Sequence, residues 1–516
     1  MSILSRPART LALPEALDYR TVVPWLLAAG LAVAFGAMAG ALPWKLAVLG
    51  MGGLTIAPLF VFGFIRLDVG ILFTVTIGFF VELFRKYSDA PFGVALDGLV
   101  VVFALSMFAG LAKTKQFAAA RHPISVMVLV WMYYCGIQLV NPEPTAHRMA
   151  WLYTVRSLGG LLFLYFIAVY ALDTLPKIKR AIKWILFLGL VAALYGLKQE
   201  FVGFSDAELV WLYSDPERYQ LINQWSRLRV FSLFSDPTTL GIVMAYLTCM
   251  SAVLVFGPYR GWKKVVLVVG MGCMIATMAF AGSRTPIVVL PVGLLFFVVL
   301  MPKKNVLLVS ALFFAVGTMA MMKGSSNAVL FRVQSAFTFG ADASVQVRLD
   351  NQALVQPFIR KHPIGSGLGT TGEWGRRFAP NFWLAYFAHD SGLVRIAVEA
   401  GYLGLIIYEI FLAVILISGI RQVFRVRDPV VKNLTVAITV VMFCLALSSY
   451  PQEAIPMLPT SLIFYILLGC LVRLDYIDKR QREAADGADA TDGDAAAAAK
   501  AATPNAYLPS ASGVEA

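Results

Sequence analysis

The sequence predicts an all-α fold: a polytopic transmembrane helical bundle of about 14 spans, with a large, partly helical loop outside the membrane. Three observations predict it. The 516 residues are 59% hydrophobic and only 14% charged, well below the roughly 25% charged residues of a soluble domain. Apolar runs of roughly 17 to 25 residues, enough to cross about 30 Å of hydrocarbon as helices, recur from Pro24 to Val472. Lysine and arginine gather in every second connection between those runs.

In chain order the expected spans are 24–42, 45–65, 69–84, 97–112, 124–140, 155–172, 181–198, 237–256, 263–281, 285–301, 305–321, 391–419, 430–449 and 458–474. The first run lacks a small-residue cleavage site and leads directly into the second, so it reads as a span and not as a removed signal peptide. Arg6, Arg9 and Arg20 place the N-terminus in the cytoplasm. The connections bearing Lys113 and Lys115, Lys177 to Lys183, Arg260 to Lys264, Lys303 and Lys304, and Arg421 to Lys432 lie on that side, as does the segment Arg473 to Arg482. Both termini are therefore expected in the cytoplasm. Residues 1–23 form a cytoplasmic N-terminus, 24–482 the membrane domain, and the Ala-rich stretch 483–516 a disordered cytoplasmic tail.

The net charge of +13 is thus topological: its basic residues are spread over many loops, which argues against nucleic-acid binding. Cys135, Cys249, Cys273, Cys444 and Cys470 fall in spans without paired spacing and imply neither disulfides nor a thiolate metal site. No HExxH, Walker loop or acidic/histidine cluster at metal-ligand spacing occurs, so neither a metal nor another cofactor is expected. Arg85 and Lys86 break the charge rule without explanation.

The connections long enough to build a site, roughly 199–236 and 322–390 with the shorter 141–154, all fall outside. That face should be poor in arginine, yet it carries Arg156, Arg229, Arg284 and Arg348. Taken singly, each suits a snorkelling or ion-paired interface residue. Together they suit a diphosphate at the membrane surface, since each charge-assisted contact contributes about 1.5 to 3 kcal/mol. His389, at the mouth of the twelfth span, is placed either to take a proton from a sugar hydroxyl or simply to begin a helix. Arg395 and Glu399 are spaced to pair on one helix face, and His362 helps to shape a turn. Gly365-Ser366-Gly367-Leu368-Gly369 reads as a turn with close backbone packing and not as a phosphate loop.

The series resembles the bacterial O-antigen polymerase and O-antigen ligase superfamily of integral-membrane glycosyltransferases. Arg229-Val-Phe-Ser-Leu-Phe-Ser-Asp-Pro resembles its Arg-plus-Phe-x-x-Pro segment, and Ser283-Arg284 its Ser-Arg turn. Arg348 through His362-Pro-Ile-Gly-Ser-Gly-Leu-Gly resembles the large-loop segment, and His389-Asp390 with Glu399-Ala-Gly401-Tyr-Leu-Gly404 the His-Asn and Glu-x-Gly-x-x-Gly stretch. Asp390 and Thr238 stand where the family often has Asn.

The resemblance implies a metal-independent enzyme of the bacterial inner membrane that acts at the periplasmic face on a polyprenyl-diphosphate-linked oligosaccharide and a glycan acceptor. Other polysaccharide export proteins are its candidate partners. Arg229 and Arg284, with Arg156 and Arg348, would hold the diphosphate; His389 would activate the acceptor hydroxyl, with inversion at the anomeric carbon. The leading expectation is polymerisation of repeat units. A ligase that transfers a finished glycan to lipid or protein, a transporter of lipid-linked sugar, and a structural scaffold stay open.

Overall fold

The computed structural model describes residues 63–87, 92–114, 121–156, 161–224, 227–322, 343–387, 389 and 391–501. The expected span 24–42, nearly all of 45–65, and Asp390 lie outside the described residues. The chain divides into two units, Met1–Phe73 and Thr74–Ala516. In the first, Arg66 and Asp68 pair at 3.2 Å. The second contains every helix that begins at Phe92 or later.

The helices before the first long connection are α1 (Leu67–Tyr87), α2 (Phe92–Thr114), α3 (Pro123–Ile137), α4 (Arg148–Val155), α5 (Leu162–Ala171) and α6 (Leu175–Phe201). That connection contains α7 (Asp206–Tyr213), α8 (Pro216–Ile222) and a two-stranded antiparallel ribbon, β1 (Asn223–Gln224) with β2 (Arg227–Leu228). Four helices come next: α9 (Pro237–Val255), α10 (Gly261–Ala281), α11 (Arg284–Leu300) and α12 (Lys304–Met322). The large connection holds α13 (Ala343–Lys361), α14 (Gly372–Phe378) and a 3₁₀ turn at Trp383–Tyr386, and α15 (Gly392–Glu399), α16 (Gly401–Arg425), α17 (Pro429–Ser449) and α18 (Thr460–Ala501) complete the chain. Among the described residues nine helices are long and apolar enough to cross a bilayer, and the protein is an all-α, multi-pass membrane protein.

α9 is apolar on every side and is the centre of the bundle, packed against α10, α11 and α17. Its start is fixed by Asp236, whose carboxylate accepts from the Thr238 and Thr239 amides at 2.9 and 2.8 Å, with Pro237 in the first turn. Asp428 and Pro429 start α17 in the same manner.

Three elements differ from the sequence reading. In the expected span 155–172 the described helix is the ten-residue α5, and α4 ends where that span was expected to begin; residues 157–160 lie outside the described residues. The expected span 391–419 is two helices, because Gly401 is left-handed at φ +72°. The loop 363–367 crosses there. Its amides cap the end of α15, Ser366 to the Val398 carbonyl at 2.9 Å and Gly367 to that of Glu399 at 3.0 Å. The membrane span is therefore α16, and α15 is too short to cross. Finally, α18 continues through Ala501 into the Ala-rich stretch, where alanine favours helix over any other residue.

Both long connections pack on small cores of their own. Leu212, Ile222 and Phe231 form the first, and Val355, Phe382, Leu384, Ala385 and Val398 the second.

Candidate functional site

His389 lies two residues before Ser391, the residue that caps α15 by accepting from the Val394 amide at 3.4 Å. One ring nitrogen of His389 bonds the Phe387 carbonyl, and Nε2 is buried without a hydrogen-bond partner. The ring borders two cavities of about 330 Å³ each. The first is lined by Leu221, Asp236, Thr238, Gln452, Glu453 and Thr460; the second by Glu217, Thr371, Arg376, Tyr386, Arg395 and Glu453. Burial pushes the pKa of His389 down to about 4; Glu399 works against that shift and Arg395 adds to it. The imidazole is thus neutral near pH 7. With Nδ1 donating to Phe387, Nε2 is the nitrogen that carries the lone pair.

The other histidines have local roles. His122 and His147 cap α3 and α4, accepting from the Ile124 and Met149 amides at 3.2 and 3.3 Å. His362 lies 2.8 Å from the Phe358 carbonyl and stacks on the Phe358 ring.

Behind His389 runs a chain of ionic contacts. Arg395 donates through Nε to Glu399 at 3.0 Å and through Nη1 to Glu453 at 2.6 Å. Burial opposes the charge of Arg395, but its two carboxylate partners outweigh that and raise its pKa above the ordinary value. Burial raises Glu453 despite the nearby guanidinium. Glu399 also accepts from the Gly369 amide at 3.0 Å and from the Thr371 hydroxyl.

The glycine stretch is what makes this possible. Gly365, Gly367 and Gly369 all have positive φ, and a Cβ on Gly365 would lie 2.3 Å from the Gly401 nitrogen. The Gln138 and Asn141 side chains donate to the Ile364 carbonyl at 3.0 and 3.2 Å, tying the loop to the end of α3.

The arginines separate. Arg229 is 4% exposed and donates to the carbonyls of Ala281, at 2.8 Å, and Leu221, at 3.4 Å. It therefore joins the wall of the first cavity to the turn Gly282-Ser283-Arg284. The Ser283 hydroxyl donates to Thr238 on that cavity's lining at 3.1 Å, and Arg284 is exposed at the first position of α11. His389 lines that cavity itself, Arg229 is bonded to one of its lining residues, Leu221, and Arg284 follows Ser283, which is bonded to another, Thr238. Arg156 instead pairs with Asp97 at 2.8 Å. Arg348 lies on α13, with its side chain outside the described residues. Among the described residues no three His, Cys, Asp or Glu side chains converge.

Two groups have no signal in sequence spacing. Glu453, in the short connection before α18, borders both cavities. Lys86 is buried, donates to the Ser232 carbonyl at 3.0 Å, and lies 4.2 Å from the Phe231 ring centre and 5.2 Å from that of Trp211. Its exceptional position under the charge rule was a signal of such burial.

Residues 267–408 match the family model described as O-antigen ligase. The matched segment is about a quarter of the chain and contains Arg284, Arg348, His362, His389, Arg395 and Glu399, whereas Arg156, Arg229 and Glu453 lie outside it. It supports ligase- or polymerase-type glycosyl transfer in general terms. No curated protein is a match for the chain.

Proposed function

We propose that the protein polymerises lipid-linked oligosaccharide repeat units at the periplasmic face of the bacterial inner membrane, with both termini in the cytoplasm. The observation that carries this reading is the position of His389, whose side chain borders both cavities and whose Nε2 has no hydrogen-bond partner, within the segment that matches the O-antigen ligase family. One cavity would receive the diphosphate end of the donor and the other the acceptor glycan. Nε2 takes the proton of the acceptor hydroxyl as its oxygen forms the new bond to the anomeric carbon from the face opposite the leaving group. The bond from that carbon to the diphosphate breaks, and its electron pair leaves on the diphosphate. Arg284 stabilises the growing charge, while Arg229, already bonded to two carbonyls, braces the turn that presents Arg284. Arg348 joins the same clamp. Arg156, paired with Asp97, supports it from farther out. Neither a metal nor another cofactor takes part.

The family description favours a second reading, in which a finished glycan is transferred to a lipid or protein acceptor. Purified wild type, Arg284→Ala and His389→Ala, incubated with polyprenyl-diphosphate-linked repeats, test both. Lengthening without any added acceptor is expected of the wild type, and lengthening only when another acceptor is supplied would establish the ligase. Arg284→Ala should slow transfer about 100-fold and weaken donor binding. Full activity in both variants would place the chemistry elsewhere.

A further inference from the structure

A third cavity lies towards the opposite end of α9. It is a groove of about 340 Å³ lined by Ile182, Leu186, Leu190, Val266, Gly270 and Met274, from α6 and α10. Ser251 and Leu254 of α9 also line it, whereas Thr238 and Ile242, at the start of the same helix, border the first His389 cavity. At 1.5 Å per residue the two sites are about 20 Å apart along the helix. Lys179, Lys183 and Lys263 lie where α6 and α10 begin, and Trp262 and Tyr259 accompany them.

The three lysines are not neutralised. Among the described residues none of them is in an ion pair: it is Lys177 that engages Asp173, at 2.8 Å, while Lys263 lies 5.7 Å from the Trp262 ring centre. The groove has room at Gly270, where among the described residues a Cβ would meet only Leu190 Cδ1, at 3.9 Å. An apolar trough that ends in unneutralised cations and an interfacial tryptophan matches the two halves of one molecule: an acyl chain and a phosphodiester.

We infer that this groove binds an anionic phospholipid of the surrounding leaflet, with its phosphate on Lys179, Lys183 and Lys263 and an acyl chain between α6 and α10. The full chain in nanodiscs of equal phosphatidylglycerol and phosphatidylcholine, released into mild detergent and weighed by native mass spectrometry, tests it. The wild type should retain phosphatidylglycerol over phosphatidylcholine by about 100-fold. The triple variant Lys179→Gln, Lys183→Gln, Lys263→Gln changes only the charged end and should lower that preference to near unity. Gly270→Phe fills the trough while leaving the lysines in place, and should lose the bound lipid. Wild-type protein that retains no lipid, both lipids alike, or a polypeptide in their place overturns the inference, as does a preference that survives either change.

Discussion

Two connecting regions of the protein are each organised around a buried glutamate and a cation, and among the described residues one of them holds, beside its cavities, a histidine whose Nε2 is unbonded. In the connection after α6, Glu208 accepts from Gln199 at 2.6 Å, Tyr195 at 3.1 Å and the Ser205 amide at 2.8 Å, and nearby Lys86 is enclosed by aromatic rings. In the large connection, Glu399 accepts from Gly369, Thr371 and Arg395, and Arg395 reaches on to Glu453. The first cluster spends its donors and acceptors on holding the segment 229–236. The second holds a wall that carries His389, whose side chain borders two cavities and whose Nε2 is buried without a hydrogen-bond partner. Buried charge alone therefore does not distinguish a site from a brace; an unsatisfied group beside a cavity does.

The comparison can be broken at several points. The largest effect is expected for His389→Ala, which should cut transfer by about 10² to 10⁴ with its melting profile unchanged; an active variant would remove the distinction between the two regions. Glu399→Ala leaves Arg395 with one carboxylate and should destabilise the fold by about 3 to 5 kcal/mol, read from denaturation in detergent. Lys86→Met should cost about 1 to 3 kcal/mol but leave kcat of the folded fraction unchanged; a selective fall in kcat would make the first region part of the chemistry.

The smallest effect is that of pH. The pKa of His389 in the folded protein, about 4, lies below the ordinary value, so its base form persists as pH falls and is lost only near that lower value. On this account kcat/KM should change less than about twofold between pH 7 and pH 5. An acidic limb centred near the ordinary histidine value of about 6.5 would show that the ring is solvated during turnover.

The span pattern was legible because a run of apolar residues long enough to cross hydrocarbon is a local property. Arg284 stood out as an arginine in a connection that the expected topology leaves poor in arginine, and His389 for its place at the mouth of an expected span. Arg395 and Glu399 were placed on one face by helical spacing. Glu453 was not legible: it meets Arg395 across 58 residues of sequence, and no local period encodes such a contact. The expected continuous span 391–419 failed for a related reason. Its apolar pattern continues past Ala400, but the loop that crosses at Gly401 comes from about 36 residues earlier and must be accommodated by a left-handed backbone. Arg229 was noticed for its charge, yet its bonding to carbonyls depends on where α8 and α10 end.

Gly365 and Gly401 touch backbone to backbone. A methyl group on the first would lie 2.3 Å from the amide nitrogen of the second, and one on the second 2.1 Å from the Pro363 oxygen. Both also have positive φ, so changing them together would relieve nothing. A saturation-mutagenesis map of this protein would thus score these two positions as severely as His389, although neither bears a reactive atom. Intolerance to substitution in this segment is a record of how closely two chains approach, and only a readout that separates amount of folded protein from turnover can tell it from chemistry.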